Sequence, residues 1–187
     1  MAATEFTIRR KVLTIFGAKF HIYNSAGGLI GFCKQKAFKL KEDIRIYSDE
    51  TATEERLVIK ARSVLDISAA YDVVESQTGR NIGALQRRGL KSIFRDEWDV
   101  LDPKGQQVGK ILEDSVLMAV VRRYVLNIFP QTFRLTDMSG RDLASLRTHF
   151  NPFVHRMTVT VFDDCPLDPY LVLAAGILII AIEGRQQ

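Results

Sequence analysis

Near its carboxyl end the chain reads Pro169-Tyr-Leu-Val-Leu-Ala-Ala-Gly-Ile-Leu-Ile-Ile-Ala-Ile182, and this stretch decides the fold. From Tyr170 onward its only polar group is the tyrosine hydroxyl. Asp168 is suited to the N-cap and Pro169 to the first helical position, so the stretch is predicted to be a helix. A helix that is apolar on every side has to be covered on every side.

The length of this helix bears on where it lies. Its 14 residues rise about 21 Å, which is less than the roughly 30 Å of a bilayer core. A run this short is more typical of a buried core helix than of a membrane span. We therefore expect the rest of the chain to enclose it.

Composition places the chain among ordinary globular proteins. It has 187 residues, of which 47% are hydrophobic and 26% charged, which is enough for one domain with a substantial core. The net charge of +4 and the pI of about 9.1 are compatible with anionic partners. Cys33 and Cys165 form no disulfide framework or zinc motif, and the amino terminus lacks a secretory pattern. We therefore expect a cytoplasmic protein.

Four stretches share one pattern around a central glycine. An apolar residue lies five positions before the glycine, another lies three after it, and a turn-opening side chain lies three before it. The glycines and their openers are Gly27 with Asn24, Gly79 with Ser76, Gly105 with Asp102 and Gly140 with Asp137. Such side chains bond the backbone ahead, and the glycine takes the left-handed conformation that closes a bulged hairpin. The pattern predicts hairpins of an antiparallel meander rather than a phosphate-binding loop.

A further hairpin is predicted between the first two. In residues 38–47 the apolar side chains Phe38, Leu40, Ile44 and Ile46 alternate with Lys39, Lys41 and Arg45. In the returning strand, residues 56–62, Lys60 and Arg62 fall on the same face as the earlier basic residues. The five cations Lys39, Lys41, Arg45, Lys60 and Arg62 are called the basic hairpin face below. The loop between the strands is too polar to be buried.

The remaining segments add one helix and no domain boundary. Residues 115–126 are interpreted as a helix that Asp114 caps and that ends before Pro130, although their apolar content also allows a strand. A short connection is expected at residues 89–96. Because no linker or low-complexity tract divides the chain, we predict a single domain over residues 1–187.

Nearly a dozen short strands followed by one apolar helix favour a particular architecture. A closed antiparallel sheet has no edges, and a large barrel leaves a lumen that has to be filled. A hydrophobic helix threaded through the lumen would fill it. The predicted fold is therefore mainly β, a closed antiparallel β-barrel that encloses a hydrophobic carboxyl-terminal helix.

Two stretches resemble a superfamily that unites tubby C-terminal domains, phospholipid scramblases and LURP-one-related proteins. Lys19-Phe-His-Ile-Tyr-Asn-Ser-Ala-Gly27 is similar to the first hairpin of that superfamily. Cys165-Pro-Leu-Asp-Pro-Tyr170 and the apolar run after it are similar to the scramblase approach to the terminal helix. The resemblance spans roughly residues 5–184 and implies a twelve-stranded barrel around a central helix. In size the chain is most similar to the LURP-one-related group.

The chain departs from the scramblases where those proteins carry an acidic calcium-binding stretch. The corresponding residues, 149–158, contain no carboxylate. Asp163, Asp164 and Asp168 are explained more simply by helix capping than by a calcium site, which needs about six to eight oxygen ligands. We predict no metal site and no cofactor.

The sequence also shows no arrangement of residues that is typical of a catalytic site. His149 and His155 are six positions apart, whereas metal ligands on one strand want a spacing of about two and those on one helix about three or four. These residues and His21 are interpreted as surface or packing histidines. The aromatic residues do not alternate with basic positions as they do in single-strand nucleic-acid platforms. We expect neither an enzyme nor a nucleic-acid-binding protein.

Clusters of basic residues, above all the basic hairpin face, remain as candidates for function. The resemblance to tubby domains implies that cations on adjacent barrel strands hold a phosphorylated lipid head group through charge-assisted bonds. We predict a non-enzymatic binding module for anionic phospholipid head groups or another anionic partner, with the basic hairpin face as its site and a peripheral place at the membrane. The alternative is a scramblase-like protein whose terminal helix engages the membrane. Oligomeric state has no signature in the sequence.

Overall fold

The computed structural model describes residues 3–11, 18–35, 43–62, 70–88, 97–114, 131–149 and 154–183. Twelve strands and one helix lie within these ranges. They are β1 (Thr4–Lys11), β2 (Ala18–Asn24), β3 (Leu29–Gln35), β4 (Ile44–Tyr47), β5 (Glu55–Ala61), β6 (Ala70–Glu75), β7 (Asn81–Arg87), β8 (Glu97–Leu101), β9 (Gln107–Glu113), β10 (Thr132–Asp137), β11 (Asp142–His149), β12 (Val154–Val161) and α1 (Pro169–Glu183).

The strands form one closed antiparallel sheet. Each strand pairs with its neighbours in sequence, and β1 pairs with β12 along its whole length, from Thr4 opposite Val161 to Lys11 opposite Val154. Closure removes the unpaired backbone groups that an open sheet presents at its edges. The predicted fold class, a mainly β closed barrel of about twelve antiparallel strands with a carboxyl-terminal helix, is confirmed.

The predicted glycine turns join β2 to β3, β6 to β7, β8 to β9 and β10 to β11. All four glycines have φ angles between 69° and 90°, a region that residues with a Cβ rarely adopt. In the third turn the Asp102 carboxylate accepts the N–H groups of Lys104 and Gln106. Asn24 and Asp137 accept backbone N–H groups in the same way. The register shifts by one residue beside each turn, so the bulged hairpins are confirmed.

The turn between β6 and β7 corrects one detail. Ser76 is predicted to open it, but the Ser76 hydroxyl oxygen is buried without a hydrogen-bond partner. The N–H of Gly79 donates to the carbonyl of Glu75, four residues earlier, whereas the N–H of Gly105 donates to the carbonyl of Asp102, three residues earlier. Because this turn is one residue longer, its opening position falls on Glu75, and the prediction for Ser76 is wrong.

Helix α1 begins where the sequence predicts. The Tyr170 N–H donates to Asp168 Oδ1 at 2.9 Å, so Asp168 is the N-cap. Every residue from Leu171 to Ala181 is buried, whereas Tyr170 is exposed. The helix lies closest to β12, then to β1 and β7. Among the described residues, no helix combines the length and apolar character needed to cross a membrane.

The two ends of the barrel differ in their connections. The turns after β2, β4, β6, β8 and β10 share one end with the start of α1, and we call it the turn end. An ion pair between Arg80 and Asp168, with Nη2 3.2 Å from Oδ2, ties one of these turns to the helix cap. The connections at the opposite end lie outside the described residues. The predicted helix at 115–126, the connection at 89–96 and the lysines Lys39 and Lys41 lie outside them as well.

Cys33 offers a test of the packed interior. Its side chain is completely buried, and burial raises the pKa of its thiol to about 12. Because the thiolate is the reactive form, we expect iodoacetamide to leave Cys33 unmodified in the native protein and to alkylate it in concentrated guanidinium chloride, as measured by mass spectrometry. Cys165 is only half-buried and should react faster in the native protein. Equal rates for Cys33 in the native and denatured protein would contradict this packing.

Candidate functional site

Three members of the basic hairpin face lie in the described part of the chain. Arg45, Lys60 and Arg62 are exposed on the outer face of β4 and β5, where they alternate with inward residues such as Ile44 and Ile59. The strand pairing sets Arg45 opposite Val58, two positions from Lys60. The structure thus places these three side chains on one outer surface, and Lys39 and Lys41 lie outside the described residues.

Acidic neighbours occupy two of these three cations. Arg45 Nη1 lies 2.6 Å from Glu55 Oε2. Arg62 binds the Asp72 carboxylate with two N–H groups, at 2.8 and 2.5 Å. These hydrogen bonds raise the pKa of both guanidinium groups, so both stay charged but are already paired. Lys60 forms no ion pair with any described residue, which leaves it as the available charge of the set.

A different basic surface lies where the barrel closes. Arg9 on β1 and Arg156 on β12 are direct cross-strand partners, and both are exposed. Arg147 on β11 lies opposite Thr158 of β12 and is also exposed. Within the described ranges, none of these three arginines pairs with a carboxylate. We call the three together with Thr158 and His149 the arginine face.

A shallow hollow of 220 Å³ lies on the arginine face. Arg9 and Arg156 both line it, and the Arg9 guanidinium stacks over the Tyr23 ring with its carbon 4.8 Å from the ring centroid. Thr7 contributes to the lining, and Glu5 provides a carboxylate at one side. Two guanidinium groups, hydroxyl groups and an aromatic ring therefore line this hollow. Its volume is suited to a phosphate group with its substituent.

His149 responds to the positive charge of this surface. Its Nε2 lies 2.9 Å from Thr158 Oγ1, and its strand partner is Arg156. Burial lowers the pKa of His149, and the charges of Arg156 and Arg147 lower it further, while Glu5 opposes them. The neutral imidazole is consequently the favoured form near neutral pH.

The basic character continues onto the neighbouring strands. Lys19 on β2 is the direct partner of Lys34 on β3, and both are exposed. Between them and Arg9 lies His21, a buried residue whose Nε2 is 3.0 Å from the Glu50 carboxylate of the β4–β5 loop. Two like-charged cross-strand pairs thus lie near each other, and the nearby Glu50 is engaged by the histidine.

No metal-binding group emerges from the part of the chain that the structure describes. No three histidine, cysteine or acidic side chains there are placed to hold one ion. Asp168 caps α1, and Asp164 lies 3.0 Å from Arg141 Nη1, so both have structural partners. Helix capping is thus confirmed for Asp168, whereas Asp164 forms an ion pair with Arg141.

In the sequence Arg9 belongs to a basic cluster, Arg9-Arg10-Lys11, and Arg156 is far from it. They become neighbours because β1 and β12, the first and last strands, close the barrel. Pairing between distant strands has no local signal, since each strand shows the same alternating pattern. Sequence reasoning favoured the basic hairpin face because its strands are neighbours in the chain.

Comparison with known proteins identifies a family. The model of the LURP-one-related (LOR) family matches residues 29–179, from β3 into α1. No curated protein and no solved structure shows a significant match. The matched range includes Arg147 and Arg156 and begins after Arg9. The fold of this family is compatible with a binding module. Because the match covers most of the chain, the protein belongs to the LURP-one-related family, within the tubby-like superfamily.

Proposed function

We propose that the protein is a non-enzymatic binding module that recognises anionic phospholipid head groups through the arginine face. The observation that carries this proposal is the direct cross-strand pairing of Arg9 with Arg156, without a carboxylate partner in the described chain. Like charges directly opposite each other on a sheet are destabilising. A bound phosphate removes this repulsion and replaces it with charge-assisted hydrogen bonds.

The chemistry of the surface suits a phosphate monoester. Guanidinium groups present a planar fork of donors that matches phosphate oxygens. Neighbouring strands lie about 4.8 Å apart, and same-face residues along a strand about 6.6 Å apart. Arg9, Arg156 and Arg147 therefore reach one head group at the same time. Thr158 between them adds a hydroxyl donor.

Enclosure of α1 is part of the same proposal. The burial of residues 171–181 and the approach of α1 to β12, β1 and β7 support a lumen that the chain itself occupies. A barrel occupied in this way is a rigid support, and its outer wall is then the surface that holds a head group.

The test is cosedimentation with vesicles of phosphatidylcholine alone, with added phosphatidylserine, or with added phosphoinositide. We expect salt-sensitive binding to the anionic vesicles, because screening weakens exposed charges. Each basic residue near such a surface contributes about 1 kcal/mol. The double variant Arg9→Gln/Arg156→Gln should therefore lower the affinity roughly 30-fold.

A matched control and an independent signal sharpen this test. Arg45→Gln/Arg62→Gln removes the same charge from paired arginines and should change the affinity much less. Phosphate at the arginine face should also raise the pKa of His149, as followed by NMR titration with a soluble phosphoinositide head group, because it offsets the neighbouring arginines. Equal binding by the wild type and Arg9→Gln/Arg156→Gln would contradict the proposed site. No binding to any anionic vesicle would contradict the proposed function.

A further inference from the structure

Another cavity lies at the turn end of the barrel, between α1 and the wall formed by β2–β5 and β7. We call it the mouth cavity, and its volume is 260 Å³. Its rim consists of exposed side chains on the turns, so the cavity opens to solvent there. Its floor is formed by Ile22, Ile30, Ile46, Leu57, Ile82 and Leu173.

The position of α1 explains why this space exists. A Cβ at Gly176 would lie 2.8 Å from Val159 Cγ2 and 2.9 Å from Ile8 Cδ1, so the helix backbone rests directly against β12 and β1. The helix also packs against β7, whereas β3, β4 and β5 are not among the strands that it contacts most. The mouth cavity lies between α1 and these strands.

The chemistry of the floor favours an alkyl chain. All six floor residues are aliphatic, and the aromatic ring of Tyr170 lies at the rim. Small-molecule pockets that hold planar rings commonly contain aromatic side chains. The methyl and methylene groups of aliphatic side chains instead pack well against a flexible alkyl chain. The floor therefore suits an alkyl chain and does not require a planar ligand.

One side of the rim is held by internal ion pairs. Arg80 Nε lies 3.4 Å from Glu75 Oε2, and its Nη2 lies 3.2 Å from Asp168 Oδ2. Glu75 also accepts the Thr78 hydroxyl, and these partners lower its pKa. This group joins the β6–β7 turn to the start of α1. Because one guanidinium group faces two carboxylates, this group is net negative and does not favour an anionic head group.

The other side of the rim carries a cation whose hydrogen-bond donors are unused among the described residues. Glu54 accepts a hydrogen bond of 2.8 Å from Gln77. Arg56 Nε forms an ion pair with Glu54 Oε1 at 3.9 Å, which is too long for a hydrogen bond, and its side chain is 45% exposed. Among the described residues Arg56 has no hydrogen-bond partner for its guanidinium group. Its donors lie at the opening of an aliphatic cavity.

From these contacts we propose that the mouth cavity binds a single-chain anionic amphiphile, such as a medium-chain fatty acid. The alkyl chain enters the aliphatic floor, and the carboxylate binds the Arg56 guanidinium at the rim. This site is separate from the arginine face, and its ligand is recognised by chain as well as by charge. It adds a second ligand class to the proposed function and does not depend on it.

The cavity volume sets the expected chain length. An apolar cavity of about 150 Å³ is large enough to bind benzene. A methylene group is similar in size to a water molecule, which occupies roughly 30 Å³ of the liquid, so 260 Å³ holds roughly eight or nine such groups. Decanoate therefore matches the cavity, whereas hexanoate leaves part of it empty.

The first experiment measures affinity by isothermal titration calorimetry for hexanoate, octanoate, decanoate and dodecanoate, each below its micelle concentration. Burial of each methylene should raise the affinity about fourfold up to decanoate, and the gain should then level off. Ile30→Trp fills the cavity and should abolish decanoate binding. Val108→Trp is the matched control, because Val108 also lies three residues after a turn glycine but does not line the cavity.

Circular dichroism verifies that both tryptophan variants fold. The chain-length series uses the unchanged protein, so it tests the proposal even if Ile30→Trp unfolds. Affinity that does not change with chain length, or wild-type binding by a folded Ile30→Trp, would overturn the cavity as the site.

The second experiment tests the head group. Arg56→Gln should lower decanoate affinity about tenfold, in keeping with the loss of a charge-assisted hydrogen bond, and should leave decanol binding unchanged. Lys104→Gln, on a turn outside the cavity lining, is the charge-matched control. Tighter binding of decyltrimethylammonium than of decanoate would overturn the assignment of Arg56. Arg9→Gln/Arg156→Gln should bind decanoate like the wild type, so failure of one site is distinguishable from failure of the other.

Discussion

Gly176→Leu is expected to lower the free energy of unfolding by about 3 kcal/mol or more, or to prevent folding altogether. Even a Cβ at this position would lie 2.8 Å from Val159 Cγ2, 2.9 Å from Ile8 Cδ1 and 3.3 Å from Met157 Sδ. Overpacking of a well-packed core costs about 1–3 kcal/mol, sometimes more. For a chain of this size the melting temperature should fall by about 6–12 °C.

A graded series isolates the cause of this loss. Leucine and alanine favour a helix more than glycine does, by roughly 0.8–1 kcal/mol for alanine. Any loss of stability must therefore come from packing rather than from helix propensity. Gly176→Ala should cost less than Gly176→Leu, and Tyr170→Leu, on the exposed first turn, should stay within about 0.5 kcal/mol of the wild type. An unchanged melting temperature for Gly176→Leu would mean that α1 does not rest against β1 and β12.

Gly83→Ala should have a comparable effect for two combined reasons. The φ angle of Gly83 is 144°, a conformation that alanine adopts only under strain. A Cβ there would also lie 2.6 Å from the Leu101 carbonyl oxygen and 2.7 Å from Leu171 Cδ2. Strain of this kind costs about 1–3 kcal/mol, and the contact with rigid backbone adds to it. We expect a loss of about 3–5 kcal/mol in chemical denaturation.

Gly140→Ala is the matched control for this measurement. Gly140 also has a positive φ, of 90°, but a Cβ there would meet no atom within 4 Å. Its substitution therefore reports backbone strain alone, and the difference between the two variants reports the contact with Leu101 and Leu171. Equal losses in Gly83→Ala and Gly140→Ala would show that β7 and α1 are not in close contact at this point.

Most of the features that the sequence predicts correctly are local. Asp168 and Pro169 mark the start of α1 because capping depends on neighbouring residues. The glycine turns follow from residues within one hairpin, and the error at Ser76 arises because turn length shifts the opening position by one residue. Closure into a barrel was instead predicted from the whole chain. Closing the sheet removes its edges, and the apolar helix can then fill the lumen of the barrel.

The candidate site was harder to predict, because whether a basic residue can bind a ligand depends on the acidic residues that the fold brings beside it. Arg45 and Arg62 belong to a basic strand face in sequence, yet Glu55 and Asp72 pair with them in the fold. The cross-strand partnership of Arg9 and Arg156 requires knowing which strands close the barrel. The mouth cavity depends on which strands α1 packs against, and a periodic pattern does not encode that choice.

The pairing of β1 with β12 also sets an order of events during synthesis. A ribosome adds about 5–20 residues per second, so the partner of β1 emerges roughly 7–30 seconds after β1 itself. During that time β1 has β2 on one side and an unsatisfied strand edge on the other. Open edges recruit foreign strands. The free edge of β1 is therefore exposed to pairing with other chains until β12, its last partner, has been synthesised.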